Sequence, residues 1–169
     1  MSFLIEKMNM TQETKPFNHM TILPDGSGQI VGMIAEKEFA LDLMNEGIAF
    51  SWVGSQGGHY DFVCDVGGRL MKIDVKCKKR NVPTTPDYDA HVNTYQKDYD
   101  CHVYVFTSVY EDKFQNMGWC MKPEFWDTCR MVEKGQADGS VFKEHADSGK
   151  LKYSELRPID SLYKMLKTA

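Results

Sequence analysis

Several things this sequence lacks narrow what it can be. It has no excess of positive charge: the net charge is −4 over 169 residues, a sum that by itself speaks against a nucleic-acid partner. No apolar run approaches the roughly 20 residues that a bilayer-spanning helix needs. The opening "MSFLIEKM" is too short and too interrupted for a secretory signal, so no membrane is expected and the setting expected is cytoplasmic. The five cysteines (64, 77, 101, 120, 129) are odd in number and contain no CxxC. That pattern argues against a disulfide framework and for a reducing compartment. A metal site through His59, Cys64, Cys77, Cys101 and His102 would match no common finger spacing, so the thiols read as buried and free. A glycine-rich phosphate loop, an identifiable nucleophile–base pair, internal repeats and low-complexity segments are all missing.

What is present is a chain 42% hydrophobic and 12% aromatic, enough for one domain with a real core. Residues 1–28 read as a weakly ordered segment, with turn chemistry in "LPDGSG". A helix is expected over about 29–46, stopped by Gly47. "AFSWVG" reads as a strand, "SQGGH" as a loop, and 59–80 as a hairpin around Gly67-Gly68. "NVPTTPDYDA" is a loop by its prolines. "HVNTYQKDY" reads as a short helix and "CHVYVFTSVY" as the clearest strand. "GWCM" is a further short strand, and a helix is expected over 123–134 with Pro123 in its first turn. The segments around 136–158 have no settled assignment, and Asp160 is positioned to cap a final helix, "SLYKMLK". The order α-β-β-β-α-β predicts a single α/β domain with helices against a central mixed sheet. Its core would be 29–108, with 109–169 a C-terminal extension packed on the same domain.

The hairpin carries the chemistry. With Gly67-Gly68 as its turn, Val66 pairs with Arg69 and Asp65 with Leu70, and the ladder brings Asp61 opposite Asp74. Strand alternation gathers Tyr60, Phe62, Cys64, Val66, Met71, Ile73, Val75 and Cys77 on one face. His59, Asp61, Val63, Asp65, Leu70, Lys72, Asp74 and Lys76 share the other. Facing carboxylates destabilise a sheet: two unit charges about 4 Å apart repel by about 4 kcal/mol at an effective dielectric of about 20. A divalent cation would turn that cost into a gain, and Mg²⁺ commonly takes one or two carboxylates plus water and phosphate oxygens. The alternative is that Asp61 is exposed and relieved by Lys76 or Lys72. On a helical wheel Met33, Phe39, Ala40, Leu43 and Met44 fall within about 80° of Glu36, which puts this acid inside the apolar stripe. Glu38, Asp42, Asn45 and Glu46 lie on the other side as solvated groups. Glu36 either reaches water at the edge of the stripe or points at the Asp61/Asp74 face. Arg69, Lys72, Lys76, Lys78, Lys79 and Arg80 crowd residues 69–80 against the single acid Asp74, either as a solvated face or as a phosphate-binding one.

Glu36, then Asp61, then "Asp74-Val75-Lys76" after a glycine turn resembles the PD-(D/E)xK nuclease superfamily. The pattern "AEKEFALDLMNEGIAF…YDFVCDVGGRLMKIDVKCKK" is most similar to archaeal-type Holliday-junction resolvases. The resemblance covers roughly residues 30–80, with a weaker match to about 108. Tyr60 stands where the eponymous proline would be, and Asp74 where Glu is commoner. The resemblance implies a restriction-endonuclease-like αβββαβ core and a Mg²⁺-dependent DNA endonuclease in which Mn²⁺ substitutes. Asp61, Asp74 and the backbone carbonyl of Val75 would hold the metal. Glu36 would bind a metal or its water, and Lys76 would orient the attacking water and stabilise charge on the phosphate. Lys78, Lys79 and Arg80, with Ser55 and Gln56 in the preceding loop and Gln96 on the following helix, would contact DNA. The enzyme would be a bacterial, archaeal or phage-encoded homodimer, either structure-specific (a junction resolvase) or site-specific (of restriction or homing type). The competing class is a non-catalytic DNA-binding module that keeps the fold.

Overall fold

The computed structural model describes residues 28–168, apart from 55–57, 112, 137–143 and 145. The weakly ordered segment expected at the N-terminus therefore lies almost wholly outside the described residues, as do Ser55 and Gln56. Helix α1 (Gly28–Asn45) rests in its second half on good helix formers, Ala35, Glu36, Lys37, Glu38, Ala40, Leu41 and Leu43, which lose little side-chain freedom in a helix. It ends where the sequence says it must. Gly47 sits at φ 70°; its N–H reaches Met44 O at 3.0 Å and that of Ile48 reaches Leu43 O at 2.9 Å. These are the two bonds of a glycine-terminated helix end.

A central sheet follows in the order β1-β2-β3-β5-β6. Its strands are β1 (Phe50–Trp52), β2 (Phe62–Val66), β3 (Arg69–Arg80), β5 (Val103–Tyr110) and β6 (Lys113–Met121). The β3–β5 pair is parallel and the others antiparallel, so the sheet is mixed. Gly67 and Gly68 both have positive φ, 59° and 82°, the backbone of a tight primed turn. The register it imposes runs from Val66↔Arg69 to Phe62↔Ile73, as the sequence predicts.

Strand β5 is buried on both faces, which is why it reads as a continuous apolar run. On one side Phe62, Ile73, Val75, Val103 and Val105 pack against Phe39 and Leu43 of α1 and Leu162 and Leu166 of α3 (Ile159–Lys167). On the other, Tyr104 and Phe106 meet a second sheet, β4-β8-β7, and Phe125 of α2 (Lys122–Thr128). That sheet comprises β4 (Asp89–Asn93), β7 (Arg130–Val132) and β8 (Ser148–Lys152). No helix among the described residues is long and apolar enough to cross a membrane.

Several local expectations are corrected. "HVNTYQKDY" is not an α-helix: Ala90 and Val92 alternate with less buried neighbours in β4, and only Thr94–Gln96 turn as a 3₁₀ helix. The period of two wins because β8 supplies a partner, Asp89↔Lys152 to Asn93↔Ser148. The helix expected to reach 134 stops at Thr128 and becomes β7. Gly149 opposite allows this, since a Cβ there would stand 2.7 Å from Cys129 Sγ and 3.0 Å from Phe125. Met33 and Met44 are exposed, at the margins of the stripe that Glu36 occupies. Asp42 is not merely solvated: it accepts from Asn116 Nδ2 at 2.5 Å and from the Tyr163 hydroxyl at 3.1 Å. Tyr60 leaves the face of Phe62 and packs against the second core cluster.

Candidate active site

β2 stops pairing at Phe62↔Ile73, whereas β3 runs on to Arg80 with β5 along one side. Among the described residues the other edge of β3 is open from Asp74 onward. Asp61 finishes the ladder in an unusual way. Its N–H reaches Ile73 O at 2.9 Å, and its carboxylate Oδ2 accepts from Val75 N–H at 2.7 Å. A side chain thus replaces the next backbone rung. The N–H and C=O of one strand residue point to the same side, so the Val75 carbonyl also faces Asp61. The Lys76 carbonyl points the opposite way and accepts from Thr107 Oγ1 at 3.0 Å.

Asp74 is buried, 5% exposed, and its Oδ2 has no hydrogen-bond partner. Lys76, two residues on and on the same face, brings Nζ to 2.7 Å of that oxygen as an ion pair outside hydrogen-bond angles. Glu36 enters from α1, 6% exposed, and its Oε2 accepts from Trp52 Nε1 at 2.9 Å.

The three acids feel one another. Asp61 is pushed above the ordinary aspartate range, first by burial, then by the charges of Asp74 and Glu36, against the pull of the Val75 N–H and Lys76. Glu36 is also raised, chiefly by burial; the Trp52 bond opposes the shift and Asp74 adds to it. A buried charge without full compensation invites a proton or a cation.

Among the described residues, no cluster of three or more His, Cys, Asp or Glu side chains forms a ready-made metal cage. Mg²⁺ does not require one, because it keeps several waters and takes one or two carboxylates. Asp74 Oδ2, ion-paired with Lys76 but without a hydrogen bond, the neighbouring Asp61 and the Val75 carbonyl are hard oxygen donors of that kind. They fit Mg²⁺ or Mn²⁺ and not a thiolate-seeking metal. The cysteines are free, and burial raises the thiols of Cys64, Cys77, Cys101 and Cys120 above their usual range, which keeps them protonated.

The expected DNA contacts separate. Lys78 and Lys79 are exposed at the far end of β3, and Lys78 shares the face of Asp74 and Lys76. Arg80 does not join them. Its guanidinium lies 4.9 Å from the Tyr88 ring centroid and 5.8 Å from that of Tyr153, and donates to Asp89 O at 3.0 Å. It clamps β3 to the second sheet and is not presented as a phosphate contact. Gln96 sits on the 3₁₀ turn, half-buried. Trp52 was missed in the sequence: its link to Glu36 exists only because β1 pairs with β2, Trp52↔Phe62, beside Asp61. The antiparallel order of the first two strands was the available signal.

No family model matches the chain, and no curated protein matches it by sequence. Among solved structures, the chain is similar to a bacterial homing endonuclease at 19% identity and a TM-score of 0.44, over 68% of this chain and 84% of that one. It is also similar to a Holliday junction resolvase from the archaeal hyperthermophile Archaeoglobus fulgidus, at 12% identity and a TM-score of 0.43, over 79% of this chain and 95% of that one.

Proposed function

We propose that the chain is a metal-dependent DNA endonuclease of the PD-(D/E)xK kind, hydrolysing phosphodiester bonds with Mg²⁺, for which Mn²⁺ substitutes. The observation that carries this reading is the buried Asp74 Oδ2, which makes no hydrogen bond and is ion-paired with Lys76, with Asp61 across an open strand edge. Asp61, Asp74 and the Val75 carbonyl would hold the cation, which when bound would supply a more acidic water and neutralise phosphate charge. Lys76 keeps an ammonium within reach of an arriving phosphate oxygen and orients the attacking water. Glu36, with Oε2 held by Trp52, has its other oxygen available to that water or to the cation. Lys78 and Lys79 extend positive charge along the same strand and suit backbone phosphates. The net charge of −4 is no obstacle, because the local field and not the sum meets the substrate. The working unit on this reading is a homodimer, since cutting both strands takes two such sites. Its target is either branched DNA or a specific duplex sequence.

The test is cleavage of plasmid, linear duplex and synthetic four-way junctions in Mg²⁺, Mn²⁺ or EDTA, comparing the parent with Asp74→Asn and Lys76→Ala. Both variants should bind DNA and lose cleavage by about a thousandfold or more, the loss of about 4 kcal/mol of transition-state stabilisation. Parental rates in either variant would overturn the mechanism. A parent that binds without cutting under every metal condition would assign the non-catalytic role instead.

A further inference from the structure

We propose that Tyr99, His59 and Tyr95 form a stacking platform for an unpaired nucleobase next to the cleaved phosphate, an inference that rests on the DNA-nuclease reading above. The rings of His59 and Tyr99 lie parallel, with centroids 4.7 Å apart and planes 7° apart. Tyr95 meets Tyr99 edge-on at 6.3 Å and 67°. His59 is exposed, and Tyr95 is 62% exposed. Single apolar side chains on a surface need no explanation. A stacked pair of rings with a third edge-on to Tyr99, His59 and Tyr95 exposed and Tyr99 half-buried between them, outside either core cluster, is a built feature.

The platform is held in place from several directions. His59 Nδ1 accepts from the Asp100 N–H at 3.3 Å, and the Asp100 carboxylate pairs with Lys72 of β3. The Tyr99 carbonyl accepts from Lys122 Nζ. The Lys72 N–H donates to His102 Nδ1 at 3.0 Å. Asn93 Nδ2 donates to the Tyr95 hydroxyl at 3.3 Å. Ordering these rings is thus settled before any ligand arrives, which lowers the entropy lost on binding.

Position gives the platform its partner. His59 precedes Asp61 by two residues, so their Cα atoms are at most about 7 Å apart. Successive bases of a strand are about 3.4 Å apart, so a base one or two nucleotides from the cleaved phosphate falls within reach. A base inside duplex DNA already has neighbours on both faces. Only one that is unstacked, at a branch, flap, bulge or single-stranded end, has a free face for a protein ring. The platform therefore favours structure-specific over site-specific cleavage.

Binding is measured by fluorescence anisotropy in the Asp74→Asn background, so that the DNA stays intact. The probes are a linear duplex and the same duplex with an unpaired 2-aminopurine at a branch point. Tyr95→Ala and His59→Ala should each weaken binding to the branched probe by about 5- to 100-fold and abolish 2-aminopurine quenching. Both should leave duplex affinity within about twofold, which also reports that the variants are folded, while Tyr95→Phe and His59→Tyr should restore branched binding. Unchanged branched affinity in both alanine variants, or equal losses on both probes, would overturn the platform and leave the nuclease reading standing. A folded parent that binds neither probe would overturn both.

Discussion

In EDTA at pH 8, Asp61→Asn should make this protein more stable than its parent. The hairpin register places Asp61 one rung beyond Phe62↔Ile73 and so across from Asp74, where cross-strand Cβ atoms are about 5 Å apart. At an effective dielectric of about 20, two unit charges at that separation repel by about 3 kcal/mol. Lys76, 2.7 Å from Asp74 Oδ2, offsets part of this and leaves about 1–2 kcal/mol for the substitution to recover. Asparagine keeps an oxygen for the Val75 N–H now bonded at 2.7 Å, so the ladder survives. At this chain length 1 kcal/mol moves the melting temperature by about 2–4 °C, giving a rise of about 2–8 °C. The pH dependence has a definite sign. Burial and its acidic neighbours raise the folded-state pKa of Asp61 above the ordinary 3.8. The parent therefore has this contribution in full below that value and loses it as pH rises through the folded pKa. The gap between variant and parent should open from pH 4 upward and close again on acidification. If Asp61 holds the cation as proposed, saturating Mg²⁺ should reverse the ranking, because ligand at about 100 times its Kd stabilises the parent by about 2.7 kcal/mol while the variant lacks that carboxylate. Thermal melts from pH 4 to 9, with EDTA or Mg²⁺, measure all of this. A variant no more stable than the parent at pH 8 in EDTA, or a gap indifferent to pH, would refute the like-charge account of the site.

Trp52→Phe keeps a ring to stack on Phe62, now 5.9 Å away and 12° from parallel, and deletes the donor to Glu36. A hydrogen bond to a charged group contributes about 1.5–3 kcal/mol, and with Trp52 43% exposed about 1 kcal/mol is a fair expectation. The Mg²⁺ concentration for half-maximal cleavage should then rise about fivefold at unchanged DNA affinity, and an unshifted metal titration would detach Trp52 from the site. Elsewhere, burial and then the nearby Lys78 charge lower the His91 imidazole to about 4, so the folded protein favours the neutral ring. Its contribution is present in full above the ordinary 6.5 and is lost as pH falls from there toward about 4, at most about 3 kcal/mol. His91→Gln should flatten urea stability across that window, and a parental slope in the variant would show that other groups titrate there.

The parts of this fold that could be read in advance are those fixed by local rules. Gly67-Gly68 admits positive φ twice in succession, so the turn type, the register and the Asp61–Asp74 opposition follow from the dipeptide alone. Gly47 and the helical period place Glu36 on the buried side of α1. What escaped depends on partners distant in sequence. The strand character of Asp89–Asn93 is fixed by β8. Arg80 looks like one more cation in a basic run until Tyr88 and Tyr153, from separate segments, close on its guanidinium. The bond from Trp52 to Glu36 joins β1 to α1 and has no signature in either.

The same long-range contacts explain why there is a site at all. A regular continuation of the β2–β3 hairpin would have carried pairing past Asp61 and covered the edge of β3 beside Asp74 and Val75. Instead Tyr60 turns toward the second core cluster with Lys72 Nζ 5.1 Å from its ring centroid. His59 stacks on Tyr99, and the Asp61 carboxylate takes the Val75 N–H that a further rung would have used. The ladder is thus broken at the residue whose carboxylate the proposed mechanism uses, and the strand edge so exposed carries Asp74, Lys76 and Lys78. An uncovered edge is an invitation to non-specific strand pairing, which charged side chains, lysine above all, discourage. Lys76 and Lys78 therefore suit two demands at once: they keep the edge from pairing with other strands, and on the nuclease reading proposed above they leave it positively charged for a phosphate chain.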